Sequence, residues 1–338
     1  MRHFSLKASC VFAAALASLI ALAATADATS SNGKIAFRTY FDGQQSWGAV
    51  FTISPDGSGA RQLTHPPRGT VDDQPFWAPN GSLIAFSRLP EGSLAHIWVM
   101  APDGTGRKPV GRLCPAGATE QTCPDDSGAS FSPDSRLIAF TQSTGRVKDD
   151  RFGENWIEHS ALAVMNLDGG GRRVVYRGAA FSGDLQYPAF SPNGKQLVFE
   201  RHVSSFAKPA GKHAVFVIGL DGSGLRRITR WSENDGDGPD WSPNGKWILF
   251  RSHVDETGPQ SQYFLTRPDG RGRKQLTHFR KGTHVASASF SPNGRSIVFA
   301  KGPEGGNIDL YEMRLDGSHV RRLTRSPLWQ SAPDWGPR

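Results

Sequence analysis

The chain has 338 residues with 38 Gly and 23 Pro, a composition typical of turns and short β-strands and unlike that of a helical bundle or coiled coil. With 37% hydrophobic and 21% charged residues, it matches neither a disordered chain nor an integral membrane protein. The formal net charge of +8 is distributed without a block of like charges.

The first 26 residues predict a cleaved secretory signal peptide. A basic start with Arg2 and Lys7 precedes an apolar stretch at residues 8–24, and Ala24-Thr25-Ala26 offers the small residues that signal peptidase requires. Cleavage leaves residues 27–338 with a net charge of +6 and no transmembrane segment. The predicted location is therefore the periplasm or the extracellular space, where nucleic acid is not an expected partner. The alternative is a retained signal anchor.

In an oxidising compartment, Cys114 and Cys123 predict a local disulfide. Eight residues separate the two cysteines in a segment with Pro115, Gly117 and Pro124. Such a bridge stabilises a fold by about 2–3 kcal/mol because it restricts the unfolded chain. A metal site is the alternative, but the neighbouring sequence supplies no further Cys or His to complete one.

An internal repeat organises the rest of the chain. Its first element is an aromatic residue followed by Ser or Ala, Pro, and Asn or Asp, and in each copy a Phe comes seven residues after the proline. The aromatic residues are Trp77, Phe131, Phe190, Trp241 and Phe290, and the later phenylalanines are Phe86, Phe140, Phe199, Phe250 and Phe299.

The second repeated element is an Asp-Gly turn followed by basic residues and an apolar residue seven positions after the Asp. The turns begin at Asp56, Asp103, Asp168, Asp221, Asp269 and Asp316, and the apolar residues are Leu63, Val110, Val175, Ile228, Leu276 and Leu323. The six copies span the mature length and predict a single domain over residues 27–338.

Each repeat predicts four antiparallel strands, a to d. Strand a ends at the Trp or Phe, Ser-Pro-Asn-Gly turns the chain into strand b, and Asp-Gly joins strand c to strand d. The first repeat lacks strand a, and the C-terminal Pro333-Asp334-Trp335 supplies a matching segment. The predicted fold is therefore all-β, a six-bladed β-propeller of four-stranded antiparallel blades whose ring is closed by the C-terminal strand.

These motifs resemble the propeller repeat of the TolB family, over essentially all of residues 33–337. Related blades occur in the propellers of the prolyl oligopeptidase family and in other exported proteins. TolB itself carries an N-terminal α/β domain before its propeller, whereas here about seven residues separate the predicted leader from the first strand. The resemblance implies a propeller without that additional domain.

Antiparallel strands place the a-to-b and c-to-d turns on one face, the turn face, and the b-to-c and d-to-a connections on the other, the loop face. The loop-face connections differ between repeats, so function is expected there. Residues 142–160 are predicted to form a long loop with mixed charges, and Arg151 and Trp156 in it are candidates for binding a partner. A solvated loop with Trp156 packed on the rim is the alternative.

Acidic residues near the inner strands are a second group of candidates. Asp73 and Asp237 are candidate binding residues, and Asp235, Asp237 and Asp240 offer oxygen ligands to a cation such as calcium. Turn-forming Asp is the alternative, since the spacing is not that of an EF-hand loop. His159, His202, His213 and His253 lie in adjacent predicted loops and are expected to be scattered rather than convergent.

The sequence lacks Gly-x-Ser-x-Gly, His-Glu-x-x-His and phosphate-loop motifs. The predicted function is that of a monomeric, non-enzymatic exported scaffold that needs no cofactor and binds a protein or cell-envelope component through its loop face. The alternative is a propeller enzyme of lyase or hydrolase type, or a small-ligand or sugar binder, with its site at the channel mouth. Basic residues on the outer strands are expected to prevent aggregation through the unpaired sheet edges. The other interpretation is that these residues bind a polyanion.

Overall fold

A computed structural model describes residues 32–111, 113–115, 117–119, 122–149, 154–179, 184–205, 208–233, 236, 238–253 and 261–338. The predicted signal peptide lies outside these residues. Within them, no helix has the length and apolar character that a membrane crossing requires.

The described residues form 24 β-strands and one 3₁₀ turn, Trp231–Glu233. The first twelve strands are β1 (Asn32–Tyr40), β2 (Gly48–Ile53), β3 (Arg61–Gln62), β4 (Thr70–Trp77), β5 (Ile84–Pro90), β6 (His96–Met100), β7 (Lys108–Pro109), β8 (Asp125–Phe131), β9 (Leu137–Asp149), β10 (Glu154–Asn166), β11 (Arg173–Arg177) and β12 (Asp184–Phe190). The remaining twelve are β13 (Gln196–Ser205), β14 (Lys208–Gly219), β15 (Arg226–Arg227), β16 (Asp240–Trp241), β17 (Ile248–His253), β18 (Ser261–Thr266), β19 (Lys274–Gln275), β20 (Thr283–Phe290), β21 (Ser296–Pro303), β22 (Asp309–Arg314), β23 (Arg321–Arg322) and β24 (Trp329–Pro337).

Strand pairing gives four separate four-stranded antiparallel sheets and one eight-stranded sheet. The eight-stranded sheet consists of two antiparallel groups of four, which a single parallel bridge between Gly48 of β2 and Val71 of β4 connects. Group 2 is β4 to β7, group 3 is β8 to β11, group 4 is β12 to β15, group 5 is β16 to β19 and group 6 is β20 to β23. Group 1 combines both ends of the described chain, because β24 pairs with β1, and β2 and β3 follow. The prediction of an all-β fold built from four-stranded antiparallel sheets is confirmed.

The hydrophobic core lies between neighbouring groups. The Phe of each second strand is almost completely buried, and it packs with apolar residues of its own and an adjacent group; these residues are Phe37, Phe86, Phe140, Phe199, Phe250 and Phe299. Full burial of one such side chain contributes about 1.5–3 kcal/mol. The strand-b Phe therefore places one large ring at every interface between groups, and in five of the six groups the seven-residue spacing from the proline sets its position.

The Asp-Gly turns bring neighbouring groups into close backbone contact. A Cβ atom on Gly104 of group 2 would lie 2.7 Å from the carbonyl oxygen of Leu63 in group 1. Four other turns show the same approach, with Gly57 on Leu323, Gly222 on Val175, Gly270 on Ile228 and Gly317 on Leu276. In the remaining turn, Gly169 meets Gly111, which follows Val110. Each turn thus contacts the end of strand d in the preceding group, at the apolar residue of the repeat.

Two connections that were predicted as long loops are instead largely paired strands. β9 continues to Asp149, β10 begins at Glu154, and the two strands pair along this length. The prediction of a loop at residues 142–160 was therefore wrong over most of that range. β13 and β14 likewise extend through His202 and His213. The physical reason is that the two strands of a hairpin satisfy each other's backbone groups whether or not their side chains are apolar.

The predicted disulfide is present between Cys114 and Cys123, whose Cα atoms are 5.9 Å apart. It lies in the connection from β7 to β8, and the Cys114 N–H contacts the Nε2 atom of His96 at 3.3 Å. The bridge therefore ties a connection on the loop face close to the third strand of group 2.

We expect replacement of Gly104 by alanine to destabilise the protein more than the same change at Gly106. Both glycines have positive φ, 84° and 63°, so alanine costs about 1 kcal/mol at either position. Only at Gly104 would the new Cβ press on the Leu63 carbonyl, because no atom of the described residues lies within 4 Å of the Cβ position at Gly106. Urea unfolding should give a loss of about 1 kcal/mol for Gly106→Ala and at least about 2 kcal/mol for Gly104→Ala. Equal losses would contradict the proposed contact.

Candidate functional site

The first strands of the groups converge on a central cavity of about 100 Å³. Three consecutive residues from each of the six first strands, or from the segment leading into that strand, line it: residues 74–76, 128–130, 187–189, 238–240, 287–289 and 332–334. A second cavity of about 250 Å³ lies on the side of the turn face, where the prolines of the Ser-Pro-Asn turns and the aromatic residues of the repeat surround it. The two cavities share lining residues, among them Asp240 and Asp334.

The first strands carry β-bulges where they line the central cavity. The pairing register shifts between Asp73 and Phe76 in β4 and between Gln186 and Ala189 in β12. Inside these bulges Gln74 and Tyr187 have φ of 50° and 52°, a left-handed conformation that is uncommon for residues other than glycine. Strained backbone of this kind concentrates at functional sites, which makes the cavity wall a candidate site.

Two aspartates at the wall of the central cavity hold adjacent groups together. One Asp334 oxygen accepts a hydrogen bond from the Trp77 N–H at 2.7 Å, and the other accepts one from the Ser289 hydroxyl at 2.9 Å. Asp240 accepts the Phe290 N–H at 3.0 Å. Burial raises the pKa of Asp240 to about 7 and that of Asp334 to about 6. Both carboxyls therefore titrate close to neutral pH.

Charged residues gather toward the loop face at the end of the central cavity. The Arg38 guanidinium pairs with Asp73 and donates a hydrogen bond to the Ser331 hydroxyl. Arg251 donates a 2.6 Å hydrogen bond to the carbonyl oxygen of Val285. Asp73, Ser331 and Val285 each precede the cavity-lining residues of their strands, which run from the loop face to the turn face.

Tyr187 lies among these charges. Burial raises the pKa of its hydroxyl to about 12, with further increases from the Glu200 and Asp73 carboxylates and smaller opposing effects from Arg251 and Arg38. Burial also lowers the pKa of Arg251. Arg38, Asp73, Tyr187, Glu200 and Arg251 are called the mouth cluster below. It combines two carboxyl groups, two guanidinium groups and one phenol, and the four charged groups all act electrostatically on Tyr187.

Glu200 extends the mouth cluster to a pair of histidines. One carboxylate oxygen of the buried Glu200 contacts Nδ1 of His213, and the His202 ring stacks on His213 with 4.3 Å between centroids. The other Glu200 oxygen, Oε2, is buried and has no hydrogen-bond partner among the described residues. Burial lowers the pKa of His202, with a further contribution from His213. A neutral His202 is therefore favoured in the fold.

The predicted candidate Asp73 and its neighbour Asp72 each form an ion pair with an arginine. Arg88 forms two hydrogen bonds with Asp72, at 2.7 and 2.8 Å, and Asp73 pairs with Arg38. Asp235 and Asp237 lie outside the described residues, so calcium near Asp235, Asp237 and Asp240 stays a prediction. In the described parts of the chain, no cluster of three or more His, Cys, Asp or Glu residues is arranged to hold a metal ion.

The partner-binding candidates on the hairpin of group 3 are only partly covered by the structure. Trp156 lies on β10 with its backbone paired opposite Val147, and Arg151 lies outside the described residues. Among the four histidines, His202 and His213 do come together, contrary to the expectation that they would be scattered.

Sequence reasoning missed Arg38, Glu200 and Arg251. All three directly follow the strand-b phenylalanine, at Phe37, Phe199 and Phe250, and the repeat itself carries this signal. The residue after a buried Phe in a sheet packed on both sides is expected to be small or apolar. A charge at this repeat position therefore marks the middle of strand b as a place where buried polar groups meet.

We expect replacement of Asp240 by asparagine to change the pH dependence of stability. The folded pKa of Asp240 lies above its ordinary value of 3.8, at about 7. The folded chain therefore binds more protons than the unfolded chain between these values, and the contribution of this carboxyl to stability falls as pH rises through them. Asp240→Asn removes that loss. Relative to wild type, its free energy of unfolding should be higher at pH 8 than at pH 5, as measured by urea unfolding.

Asp316→Asn is the matched control for this measurement. Hydrogen bonds from Ser318 lower the pKa of Asp316, so this exposed carboxyl is ionised at both pH values. Its difference from wild type should be the same at pH 5 and pH 8. If Asp240→Asn also differs from wild type by a constant amount, the raised pKa is wrong.

Comparison with known proteins identifies the family. The family model described as the TolB beta propeller domain matches residues 130–338. An uncharacterized protein of Agrobacterium fabrum is 25% identical over 277 residues, which cover 78% of this chain and 81% of that protein. The Tol-Pal system protein TolB of Desulfosudis oleivorans is 28% identical over 133 residues, 39% of this chain and 28% of its own length.

Solved structures with the same fold include TolB from Acinetobacter baumannii, with a TM-score of 0.69 and 18% identity over 90% of this chain and 67% of that chain. The putative TolB from Agrobacterium tumefaciens has a TM-score of 0.59 and 19% identity over 87% of this chain and 89% of that chain. At these identities the two structures support the fold alone. The family model, however, spans more than half of the chain and confirms the resemblance found in the repeat motifs. The chain belongs to the TolB β-propeller domain family.

Proposed function

We propose that the chain is an exported, monomeric, six-bladed β-propeller that binds a protein or cell-envelope partner on its loop face, at the mouth cluster. In this proposal residues 1–26 are removed on export and residues 27–338 form the single propeller domain. The mouth cluster carries the proposal, because it places partly buried charges of both signs at the loop-face end of the central cavity.

Contacts between the groups support a closed ring of six blades. The first strands touch in the cyclic order β24, β4, β8, β12, β16, β20 and back to β24. The Asp-Gly turns repeat this order, since Gly57 of group 1 meets Leu323 of group 6 just as Gly104 of group 2 meets Leu63 of group 1. A closed propeller accounts for both cycles.

Ring closure by β24 predicts that a chain ending at residue 328 does not fold stably. This truncation removes the strand that pairs with β1 and takes away Trp335, whose ring is 4% exposed and whose Nε1 donates to the Gly33 carbonyl at 3.0 Å. It also removes Asp334, the acceptor for Trp77 and Ser289. Loss of a buried Trp alone costs about 3–5 kcal/mol, a large part of a typical stability of about 5–15 kcal/mol. A soluble truncated protein with a cooperative unfolding transition would contradict ring closure.

The charges of the mouth cluster favour a partner segment that carries charged groups of its own. Arg38 and Asp73 are 13% and 21% exposed in their side chains, so the pair is neither fully solvated nor sealed. Partly desolvated charges interact more strongly with an incoming charge than solvated ones do, and they penalise a mismatched partner. A polar protein segment that enters the mouth satisfies both requirements better than an apolar surface does.

The β9–β10 hairpin of group 3 adds a second part to the proposed surface. It is a b-to-c connection and therefore lies on the loop face. Arg151 and Trp156 belong to this segment of the sequence, and Arg and Trp are enriched at the centres of binding interfaces. The family relationship supports a partner of this kind, since the similar protein of Desulfosudis oleivorans is named as part of the Tol-Pal system.

The proposal is tested by capturing binding partners from a cell-envelope extract with immobilised protein and measuring the affinity of each captured species. Glu200→Gln keeps the shape of the side chain and removes one mouth charge, so we expect about five- to tenfold weaker binding. The control is Glu312→Gln, which breaks the ion pair with Arg321 on the outer strands and should leave binding unchanged. Melting temperatures of both variants confirm folding.

A double replacement of Arg151 and Trp156 by alanine tests the hairpin in the same assay and is also expected to weaken capture. Equal binding by wild type, Glu200→Gln and the double variant would overturn the loop-face assignment. Turnover of an envelope polysaccharide or peptide that Glu200→Gln abolishes with the fold intact would replace the scaffold function with an enzymatic one.

A further inference from the structure

A third cavity lies beside the central one, between groups 3 and 4. Its volume is about 190 Å³, far more than one water molecule needs. It is called the side cavity below. Gln74, Gly128 and Tyr187 line both the side cavity and the central cavity, so the two are neighbours. The partner-binding proposal does not use it.

The face of group 3 that borders the side cavity is polar. Asp125 and Ser127 alternate along β8 and pair opposite Ser143 and Thr141 of β9, so all four side chains share one face of the sheet. Thr141 and Ser143 are 5% and 6% exposed. Buried hydroxyls cost free energy unless they find hydrogen-bond partners, so a polar face at this depth calls for an explanation.

Two polar atoms in the wall of the side cavity lack a partner among the described residues. The Thr141 Oγ1 and Gln74 Oε1 atoms are fully buried and make no hydrogen bond. Both lie near the same place, since a Cβ built on Gly128 would lie 3.5 Å from Gln74 Oε1 and 3.9 Å from Thr141 Oγ1. The backbone N of Tyr187 is 3.8 Å from that position. Polar atoms of groups 2, 3 and 4 therefore lie close to one point.

The repeat supplies an internal comparison for Thr141. Ser87 occupies the same position in group 2, directly after the strand-b Phe, and its hydroxyl accepts the N–H of Gly128 in the next group at 3.1 Å. The residue that corresponds to Gly128 in the following group is Tyr187, three positions before the aromatic residue of the repeat. Thr141 makes no equivalent bond. The Ser87 hydroxyl therefore joins groups 2 and 3. The Thr141 hydroxyl forms no such link among the described residues, and a cavity lies between groups 3 and 4.

We propose that the side cavity binds a small, neutral, hydroxyl-rich molecule of the monosaccharide class. Hydroxyl groups both donate and accept, which matches a wall of Ser and Thr hydroxyls, Gln side-chain amides and the carboxylates of Asp125 and Asp184. Among the described residues, neither Lys nor Arg lines the cavity, so an anionic ligand has no counter-charge. The volume lies below the range typical of sites for drug-sized ligands and suits one sugar ring.

The test measures binding of glucose and galactose to the purified protein by ligand-observed NMR titration, with glucuronate as the anionic counterpart. At least one neutral sugar should bind with a dissociation constant of about 1 mM or below, the range of weak specific binding. Glucuronate should bind at least about tenfold more weakly. Thr141→Val keeps the side-chain shape and should weaken sugar binding about three- to tenfold, the effect of one neutral hydrogen bond.

Thr52→Val is the matched control. Thr52 also carries a buried hydroxyl that has no hydrogen-bond partner in the described part of the chain, but it lies on β2 of group 1 and does not line the side cavity. This variant should bind the sugar as wild type does. Ser143→Ala, on the same polar face as Thr141, provides a second variant in case Thr141→Val does not fold, and it is likewise expected to weaken binding.

Several results would overturn the proposal. The proposal is wrong if neither neutral sugar binds, if glucuronate binds as tightly as the neutral sugar, or if Thr141→Val and Ser143→Ala bind the sugar with the affinity of wild type. Competition of calcium chloride with the sugar would assign the oxygen atoms to a cation instead. A crystal structure grown with the sugar in which water alone satisfies Thr141 and Gln74 would show that the cavity is only hydrated.

Discussion

The contact between neighbouring four-stranded groups is the constraint on which the rest of this structure depends. Each sheet is short and buries both faces, so no group is stable without the next one. The strand-b phenylalanines fill the interfaces, and the Asp-Gly turns let the backbone of one group reach the end of strand d in the group before it, as Gly104 does at Leu63. A side chain at Gly104 would hold the two groups apart.

This packing also creates the polar interior. When first strands converge on one cavity, their backbones bulge, and the bulges place Gln74 and Tyr187 in a left-handed conformation at the cavity wall. Carboxyl groups in this wall lose hydration, which raises the pKa of Asp240 and Asp334 toward neutrality. Both accept a backbone N–H from the next group, so they also join the sheets. The Asp240 and Asp334 carboxyl groups therefore both stabilise the contacts between groups and set the acid–base properties of the cavity wall.

One position of the repeat varies while its surroundings stay constant. The residue after the strand-b Phe is Arg38, Ser87, Thr141, Glu200 or Arg251 in five of the six groups. Because the neighbouring Phe secures the core, this position is free to carry chemistry. Ser87 bonds to the next group and Arg38 pairs with Asp73. Glu200 and Arg251 contribute to the proposed partner site, and Thr141 contributes to the proposed sugar cavity.

The sequence alone determined the strand order, the four-stranded groups, the pairing of the C-terminal segment with the first strand and the disulfide, because each rests on a local motif that repeats at fixed spacing. It also predicted Asp73 as a candidate, but not that Arg38 would pair with it across two groups. The hairpin at Trp156 and the convergence of Tyr187, Glu200 and Arg251 likewise became visible only in the tertiary structure. Local patterns fix which residues turn and which are buried. The distance between side chains on different blades depends on how the blades pack, and no local pattern contains that information.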